Sequence, residues 1–329
     1  MLVVEPSIDM GVAAASSCEL DGVERIVAIG DVHGAYDRLV EILRTAELVD
    51  AGLRWSGGKS HLVQLGDVVD RGPDSRQALD LLRRLDREAA AEGGAVHLLL
   101  GNHEVMRMLG DLRFVTPGEY QAFVTPQSAE TRRAFVQATK AEEVAAPLGM
   151  AELRLAFGPD GEYGKWLREL DTVVKINGVV FLHGGVSPGV ANLSCEAINS
   201  TVRQELTSDL DKTLGAPLAS LAAREDGPLW YRGLATEPDS FTQPVAQILE
   251  QQGARAMVIG HTVIPGGRIR VRFGGKLVQI DTGMQPTYVP GGRASALEIR
   301  GEKFTAIYQD RRDVLVGEPA EAAPVPTAR

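Results

Sequence analysis

Short runs of apolar residues, each ending in a glycine or a polar residue, recur along the chain and predict buried β-strands. The runs are rich in Val, Ile and Leu and cover residues 26–30, 62–66, 96–101, 179–183 and 257–260. Between the first three runs, residues 37–48 and 74–92 show the apolar spacing of helices. Because strands and helices alternate, the pattern predicts an α/β fold with parallel strands.

The remaining segments differ from this pattern. Residues 105–175 lack the strand-and-glycine punctuation and favour helix, which predicts a mainly helical insertion. After residue 257, glycine-rich links separate further strands, which we expect at 268–273, 276–281, 294–299 and 304–308. We therefore expect an N-terminal extension over 1–22, one folded domain over 23–312, and a disordered tail rich in Ala and Pro over 313–329.

Composition excludes several classes of function. The 329 residues are 44% hydrophobic and carry a net charge of −10, so the chain can bury a large core but lacks a basic surface. Nucleic acid is therefore not expected as a partner. Apolar runs stay well below the roughly 18 residues that cross a bilayer, so no membrane span is expected. The oligomeric state is not indicated.

The cysteines and the N-terminus bear on location. Cys18 and Cys195 are far apart and have no metal-ligand spacing, so they predict neither a disulfide framework nor a zinc site and favour a reducing compartment. Glu5 and Asp9, together with the absence of a basic start and a long apolar core, disfavour a signal peptide. We expect a cytoplasmic protein, with export by a truncated or atypical signal as the alternative.

Candidate chemistry lies at the ends of the predicted strands. Four of the six histidines fall in glycine-flanked clusters there: GDVHG at 30–34, GNHE at 101–104, HGG at 183–185 and GHT at 260–262. A fifth cluster, GDVVDRG at 66–72, adds two carboxylates and an arginine. Since ligands of open α/β sheets gather beyond the carboxyl ends of the strands, all five loops are expected to meet.

These residue types suit a metal site. Asp31 and His33 are two residues apart, so in an extended segment both side chains point to the same side and reach one ion. A mixed set of Asp, His and Asn suits manganese, iron or zinc better than calcium, which prefers oxygen ligands alone.

The order GDVHG, GDVVDRG, GNHE, HGG, GHT resembles the metal-binding signature of the phosphoprotein phosphatase family, within the calcineurin-like metallophosphoesterases. The segments GNHEVMRMLGDLRFVTPGEY at 101–120, GPLWYRGL at 227–234 and IDTGM at 280–284 resemble its bacterial-type branch, the Shewanella-like phosphatases. The resemblance implies an αββα sandwich, in which two packed mixed β-sheets are flanked by helices.

The resemblance also implies a role for each motif residue. Two metal ions are implied, with manganese favoured and iron or zinc as alternatives. The implied ligands are Asp31 and His33 for the first metal, Asp67 as the bridge, and Asn102, His183 and His261 for the second. His103 matches the general acid, oriented by Asp70, while Arg71 and Arg232 match phosphate-binding arginines. IDTGM replaces the Ser-Ala-Pro-Asn-Tyr loop of many eukaryotic members, so inhibitor sensitivities that depend on that loop do not transfer.

The implied activity is hydrolysis of phosphate monoesters in a phosphoprotein or phosphopeptide, on phosphoserine, phosphothreonine or phosphotyrosine. Two ions about 3.5–4 Å apart activate a water for direct attack, with no covalent intermediate. A cysteine mechanism is excluded, because seven residues separate Cys195 from Arg203 where cysteine-based tyrosine phosphatases need five. The alternatives are a diadenosine tetraphosphate or other nucleotide hydrolase, which the GDVVDRG form disfavours, and a degenerate binding module, which the complete ligand set disfavours.

Overall fold

The computed structural model describes residues 18–139 and 146–317, and its strands form two six-stranded sheets. The strands are β1 (Glu19–Leu20), β2 (Ile26–Ile29), β3 (His61–Gln64), β4 (Ala95–Leu98), β5 (Val173–Ile176), β6 (Val179–Leu182), β7 (Ala256–Ile259), β8 (Arg270–Arg272), β9 (Leu277–Gln279), β10 (Ser295–Arg300), β11 (Lys303–Tyr308) and β12 (Arg312–Val316). The first sheet has the order β12-β11-β10-β2-β3-β4, and the second has the order β1-β5-β6-β7-β9-β8.

The helices surround these sheets. They are α1 (Tyr36–Thr45), α2 (Ser75–Ala91), α3 (Asn102–Met108), α4 (Pro117–Gln121), α5 (Ser128–Thr139), α6 (Met150–Phe157), α7 (Glu162–Glu169), α8 (Cys195–Leu206), α9 (Leu210–Gly215), α10 (Gly233–Thr236) and α11 (Thr242–Gln251). Five of them, α3 to α7, lie in or at the edge of the 105–175 stretch.

Alternation along the strands creates two apolar cores. In β2, Ile26 and Ala28 join a cluster that contains side chains of both sheets, including Phe181 of the second sheet. Val27 and Ile29 point the other way, into the cluster that the helices cover. Because β2 is buried on both faces, its sequence is a continuous run of apolar residues. The predicted αββα sandwich of two mixed sheets is confirmed.

Strand direction sets the position of the functional loops. In the first sheet β2, β3 and β4 run parallel, and in the second sheet β6, β7 and β9 run parallel. The loops that follow these six strands therefore leave from the carboxyl ends. All five glycine-flanked clusters of the sequence lie on such loops.

The structure adds strands that the sequence pattern did not predict. β5 follows directly on a helical stretch, and four residues are too few to show a period of their own. β12 pairs with β11 at the edge of the first sheet, so the prediction of disorder from residue 313 is wrong for residues 313–316. Its two charged residues, Arg312 and Asp313, are typical of an edge strand. Residues 318–329 lie outside the described part of the chain.

The two cysteines pair, against the expectation from their spacing. Cys18 and Cys195 form a disulfide with a Cα–Cα distance of 6.2 Å across 177 residues of sequence. Cys18 lies just before β1, which pairs with β5, and Cys195 begins α8. Spacing in sequence could not show this contact, because it depends on the second sheet being assembled. The pairing removes the cysteine argument for a reducing compartment.

None of the described helices combines the length and apolar character that a bilayer span requires.

The cysteine pair can be tested by thiol labelling. Alkylation of the denatured, unreduced protein should label neither cysteine, and both should react after reduction. Because the bond closes a loop of 177 residues, Cys195→Ser should lower the free energy of unfolding by about 2–5 kcal/mol. Cys18→Ser/Cys195→Ser should lose no more than the single variant. Two reactive thiols without reductant would contradict the pairing.

Candidate metal centre

Five loops from the two sheets meet at one edge of the sandwich and bring the predicted ligands together. The six residues are each at most 6% exposed: Asp31, His33, Asp67, Asn102, His183 and His261. The approach of the loops depends on glycine at one position. A Cβ on Gly66, whose φ is +88°, would lie 2.3 Å from the Gly101 nitrogen, so a larger residue would separate the β3 and β4 loops.

The loops hold strained backbone where they carry function. His33, Asp67, Asp70, Arg71 and His261 all have positive φ values, between 50° and 71°. Residues with a Cβ adopt this region at a cost of about 1–3 kcal/mol each, and they keep it when the surroundings fix them. The clustering of five such residues on these loops is typical of a functional site.

One buried carboxylate fixes two of the loops. Glu104, which is 1% exposed, accepts hydrogen bonds from the N–H groups of Asp67 and Gly101, at 2.8 and 2.9 Å. Its other oxygen accepts from Val68 and Val69, at 2.8 and 3.2 Å. Glu104 therefore holds Asp67 in place from behind, a role that sequence analysis did not assign although the residue belongs to the GNHE motif.

Each of the three predicted histidine ligands faces a backbone carbonyl with one ring nitrogen. The contacts are His33 Nδ1 to Val69 O at 2.9 Å, His183 Nδ1 to Leu65 O at 2.9 Å, and His261 Nε2 to Trp230 O at 3.2 Å. A carbonyl can only accept, so each of these nitrogens carries the proton. When the ring is neutral, the opposite nitrogen presents a lone pair, which is the arrangement of metal-ligating histidines.

These lone pairs converge on Asp67. His183 Nε2 lies 3.3 Å and His33 Nε2 lies 3.7 Å from Asp67 Oδ2. His183 Nε2 is also 3.0 Å from both Asn102 Oδ1 and His261 Nδ1. Two groups of donors result, His33–Asp67–His103 and Asp67–His183–His261, and they share Asp67. The arrangement fits two cations with a common carboxylate ligand.

The buried charges of the centre also favour the binding of cations. Asp31, Asp67, Glu104 and Asp281 are all buried here, and burial raises the pKa of Asp31 and brings that of Asp281 to about 6. Burial alone would lower the pKa of His183, but Asp67 and Asp31 raise it to about 9. A proton on His183 thus partly balances the carboxylates when cations are absent.

The other two histidines remain neutral. Burial lowers the pKa of His33 to about 4 and that of His261 to about 2. Neutral imidazole is the form that binds a metal ion, so both rings are ready to coordinate near neutral pH.

Asp31 departs from the simplest pattern. Its Oδ1 accepts the N–H of His261 at 3.0 Å and lies 4.0 Å from His183 Nδ1, so the carboxylate faces the β7 loop. It is absent from both donor groups, and His103 takes its place beside His33 and Asp67. His103 Nε2 is 3.9 Å from Asp67 Oδ2. The position of His103 therefore suits both a metal ligand and a proton donor.

Two further predicted residues, Asp70 and Arg71, lie beside His103. Its Nδ1 is 2.7 Å from Asp70 Oδ2, and its Nε2 is 3.3 Å from Arg71 Nη2. Burial lowers the pKa of His103, but Asp67 and Asp70 outweigh burial and raise it above its ordinary value. Arg232 lies beside another predicted ligand, since its Nη1 donates to His261 O at 2.8 Å and Thr262 Oγ1 at 3.1 Å.

Sequence analysis missed several side chains at the centre. Asp281 follows β9, so the strand-end rule that found the other loops would also have found it. Phe114 and Tyr288 flank Arg71, whose guanidinium carbon lies 4.8 and 3.6 Å from their ring centroids. They come from remote loops with no local signal.

Comparisons with known proteins agree with this geometry. A family model described as calcineurin-like phosphoesterase matches residues 24–265. Shewanella-like protein phosphatase 2 of Arabidopsis thaliana is 30% identical over 307 residues, covering 86% of this chain and 77% of the relative. Shewanella-like protein phosphatase 1 of Plasmodium berghei is 30% identical over 264 residues, with 79% and 67% covered. A solved structure of a cold-active protein-tyrosine phosphatase from a psychrophilic Shewanella species superposes with a TM-score of 0.73 and 29% sequence identity. The match covers 91% of this chain and 82% of the solved one.

Asp67 should be essential for metal binding, because its carboxylate belongs to both donor groups. We expect Asp67→Asn to lose at least one ion per chain in elemental analysis of the dialysed protein. The matched control is Asp70→Asn, an equally isosteric change on the same loop that should keep the wild-type metal content. Retention of both ions by Asp67→Asn would show that Asp67 is not shared between them.

Proposed function

Because the chain belongs to the calcineurin-like phosphoesterase family, we propose that this phosphatase-type hydrolase is a metal-dependent phosphoprotein phosphatase that hydrolyses phosphate monoesters by direct attack of water. The observation that carries the proposal is the pair of donor groups sharing Asp67, one of which includes His103. Bound at this centre, two metal ions would lower the pKa of a water molecule and polarise the phosphoryl oxygens. The donor set suits manganese, with iron or zinc as alternatives.

The arginines bind the phosphoryl group. Arg71 reaches the centre beside His103 and Arg232 reaches it beside His261, so the two guanidinium groups approach from different loops. Charge-assisted hydrogen bonds from such groups hold phosphate oxygens in a fixed orientation. Arg71 exchanges its contact with His103 for one with phosphate, which leaves His103 Nε2 directed at the ester oxygen.

His103 then protonates the leaving group. Asp70 accepts from His103 Nδ1 at 2.7 Å, which fixes the ring and favours its protonated form. A serine or threonine alkoxide needs such a proton because it is a poor leaving group. A general acid with a raised pKa supplies the proton near neutral pH.

The entrance of the site supports phosphotyrosine as the favoured substrate. Phe114 and Tyr288 are 36% and 41% exposed, and both rings contact the guanidinium of Arg71. A phosphate bound to Arg71 would bring its ester group near these two rings, and an aromatic ester gains about 0.5–1.5 kcal/mol from such contacts. The solved relative is named as a tyrosine phosphatase, which supports the same substrate class. Phosphoserine and phosphothreonine are further substrates of the proposed enzyme.

The Cys195 thiol takes no part in the proposed reaction. It is 4% exposed and bonded to Cys18, so it cannot act as a nucleophile in this state. The nucleotide alternative differs from the proposal in its product, since diadenosine tetraphosphate yields nucleotides instead of inorganic phosphate and a protein alcohol.

Substrate preference and proton transfer can be tested in one set of assays. The wild type should release phosphate from phosphotyrosine, phosphoserine and phosphothreonine peptides, with kcat/KM highest for phosphotyrosine, and should be far slower on diadenosine tetraphosphate. His103→Asn should keep its metal ions and lose roughly 10²–10⁴-fold in kcat on the phosphoserine peptide. The loss should be smaller on p-nitrophenyl phosphate, because nitrophenolate leaves without a proton.

Two results would contradict these assignments. A wild type that cleaves diadenosine tetraphosphate faster than every phosphopeptide would favour the nucleotide hydrolase. Loss of metal from His103→Asn in proportion to its loss of activity would make His103 a ligand, as its place beside His33 and Asp67 allows.

A further inference from the structure

Helix α3 carries a second functional residue one turn beyond His103. Arg107 has a fully buried side chain, and its Nη2 donates to two carboxylates, Asp70 Oδ1 and Glu119 Oε2, the latter at 2.6 Å. Sequence analysis gave neither Arg107 nor Glu119 a role. Both lie in the stretch of helices between β4 and β5, whereas Asp70 is on the loop after β3.

Arg107 and His103 each contact a different oxygen of the Asp70 carboxylate. Oδ2 lies 2.7 Å from His103 Nδ1, and Oδ1 accepts from Arg107. The Asp70 backbone has a φ of +71°, which its own sequence does not favour. With one oxygen held by the guanidinium, the carboxylate has one rotamer, and the other oxygen faces the imidazole.

Glu119 on α4 completes the arrangement. Its Oε2 holds Arg107, while its Oε1 accepts the backbone N–H of Asp70 at 3.3 Å, a group that Ser75 Oγ also binds at 3.1 Å. Glu119 is 1% exposed, so a charged carboxylate here requires the arginine as its partner. It therefore holds both the residue that orients Asp70 and the backbone of Asp70 itself.

We propose that Arg107, held by Glu119, is a positioning residue of the phosphatase reaction: it fixes the Asp70 carboxylate so that His103 delivers its proton to the leaving group. The proposal rests on the proposed function. In this proposal, the helices between β4 and β5 contribute to general acid catalysis. Helix α3 carries His103 near its start and, one turn later, Arg107, which orients Asp70. Arg107 and His103 together hold the pKa of Asp70 below its ordinary value despite burial, consistent with a permanent carboxylate.

A second buried arginine shows what a purely structural role looks like. Arg168 is 4% exposed, and its hydrogen bonds go to backbone carbonyls, among them Leu206 at 2.8 Å and Gly164 at 2.9 Å. Its guanidinium stabilises the C-terminal ends of three helices, at Leu206, Phe157 and Met108. Arg107 instead binds two side-chain carboxylates, one of which contacts His103, so the two arginines form a matched pair for mutation.

The test compares leaving groups in variants of Arg107. Arg107→Met leaves two buried carboxylates without their cation and can fail to fold, so Arg107→Met/Glu119→Gln removes both charges together. In the double variant, kcat on a phosphoserine peptide should fall roughly 10- to 100-fold, short of the full loss of an acid. On p-nitrophenyl phosphate kcat should change less than about threefold. KM and metal content should match the wild type, and Arg107→Lys should recover part of the loss.

The control and a double-mutant cycle separate positioning from folding. Arg168→Met should lower the melting temperature without changing the ratio of the two kcat values. In a His103→Asn background, removing Arg107 and Glu119 should add little to the loss on phosphoserine, because residues that act through one group are not additive. Additive losses, or equal slowing of both substrates in a folded, metal-loaded variant, would overturn the proposal.

A spectroscopic measurement keeps the inference separate from the proposed function. The Nδ1 proton of His103 should give a strongly downfield resonance in the wild type, assigned by its loss in His103→Asn, and it should shift or vanish in Arg107→Met/Glu119→Gln. An unchanged resonance would overturn the positioning role even if the enzyme is a phosphatase. If the wild type had no activity on phosphopeptides, the proposed function would fail, and the resonance would still decide whether Arg107 orients Asp70.

Discussion

The rest of the site depends on one unfavourable contact: lone pairs of buried side chains converge on the Asp67 carboxylate. His33, His183 and His261 each present one proton to a backbone carbonyl and turn the other nitrogen toward this region. Asp31, Glu104 and Asp281 add buried carboxylates nearby. Carboxylates gathered at this density repel one another unless positive charge lies between them, and the proton on His183 supplies that charge only in part, so the folded chain is built around cations that it does not itself provide.

The directions of the strands and the contacts between their loops hold these side chains together. Parallel strands from both sheets release their loops at one edge, and Glu104 ties the β3 loop to the start of α3. Positive φ values at His33, Asp67 and His261 show that the loops adopt conformations that their residues disfavour. This backbone strain is concentrated at the functional loops, and core packing on both faces of the strands stabilises the fold enough to maintain it.

The sequence predicted an α/β fold and the convergence of five loops because both depend on local signals, apolar runs and the glycine-flanked polar residues that follow them. The αββα sandwich was implied by the resemblance of the motifs to a known family. Contacts made by remote segments left no such signal. Phe114 and Tyr288 meet only at Arg71, Glu119 reaches Asp70 across the insertion, and the Cys18–Cys195 bond needs the second sheet in place. β5 and β12 are short strands whose pairing depends on neighbours already positioned.

The most direct test of the central claim is calorimetric titration of the metal-free protein with Mn²⁺ at several pH values. The account predicts two ions per chain. Because the pKa of His183 is raised to about 9 without metal, its ring is protonated below that pH and must lose a proton to coordinate. The apparent affinity of the ion that His183 binds should therefore rise about tenfold per pH unit toward pH 9 and then level off. Binding of fewer than two ions, or an affinity independent of pH between 7 and 9, would contradict it.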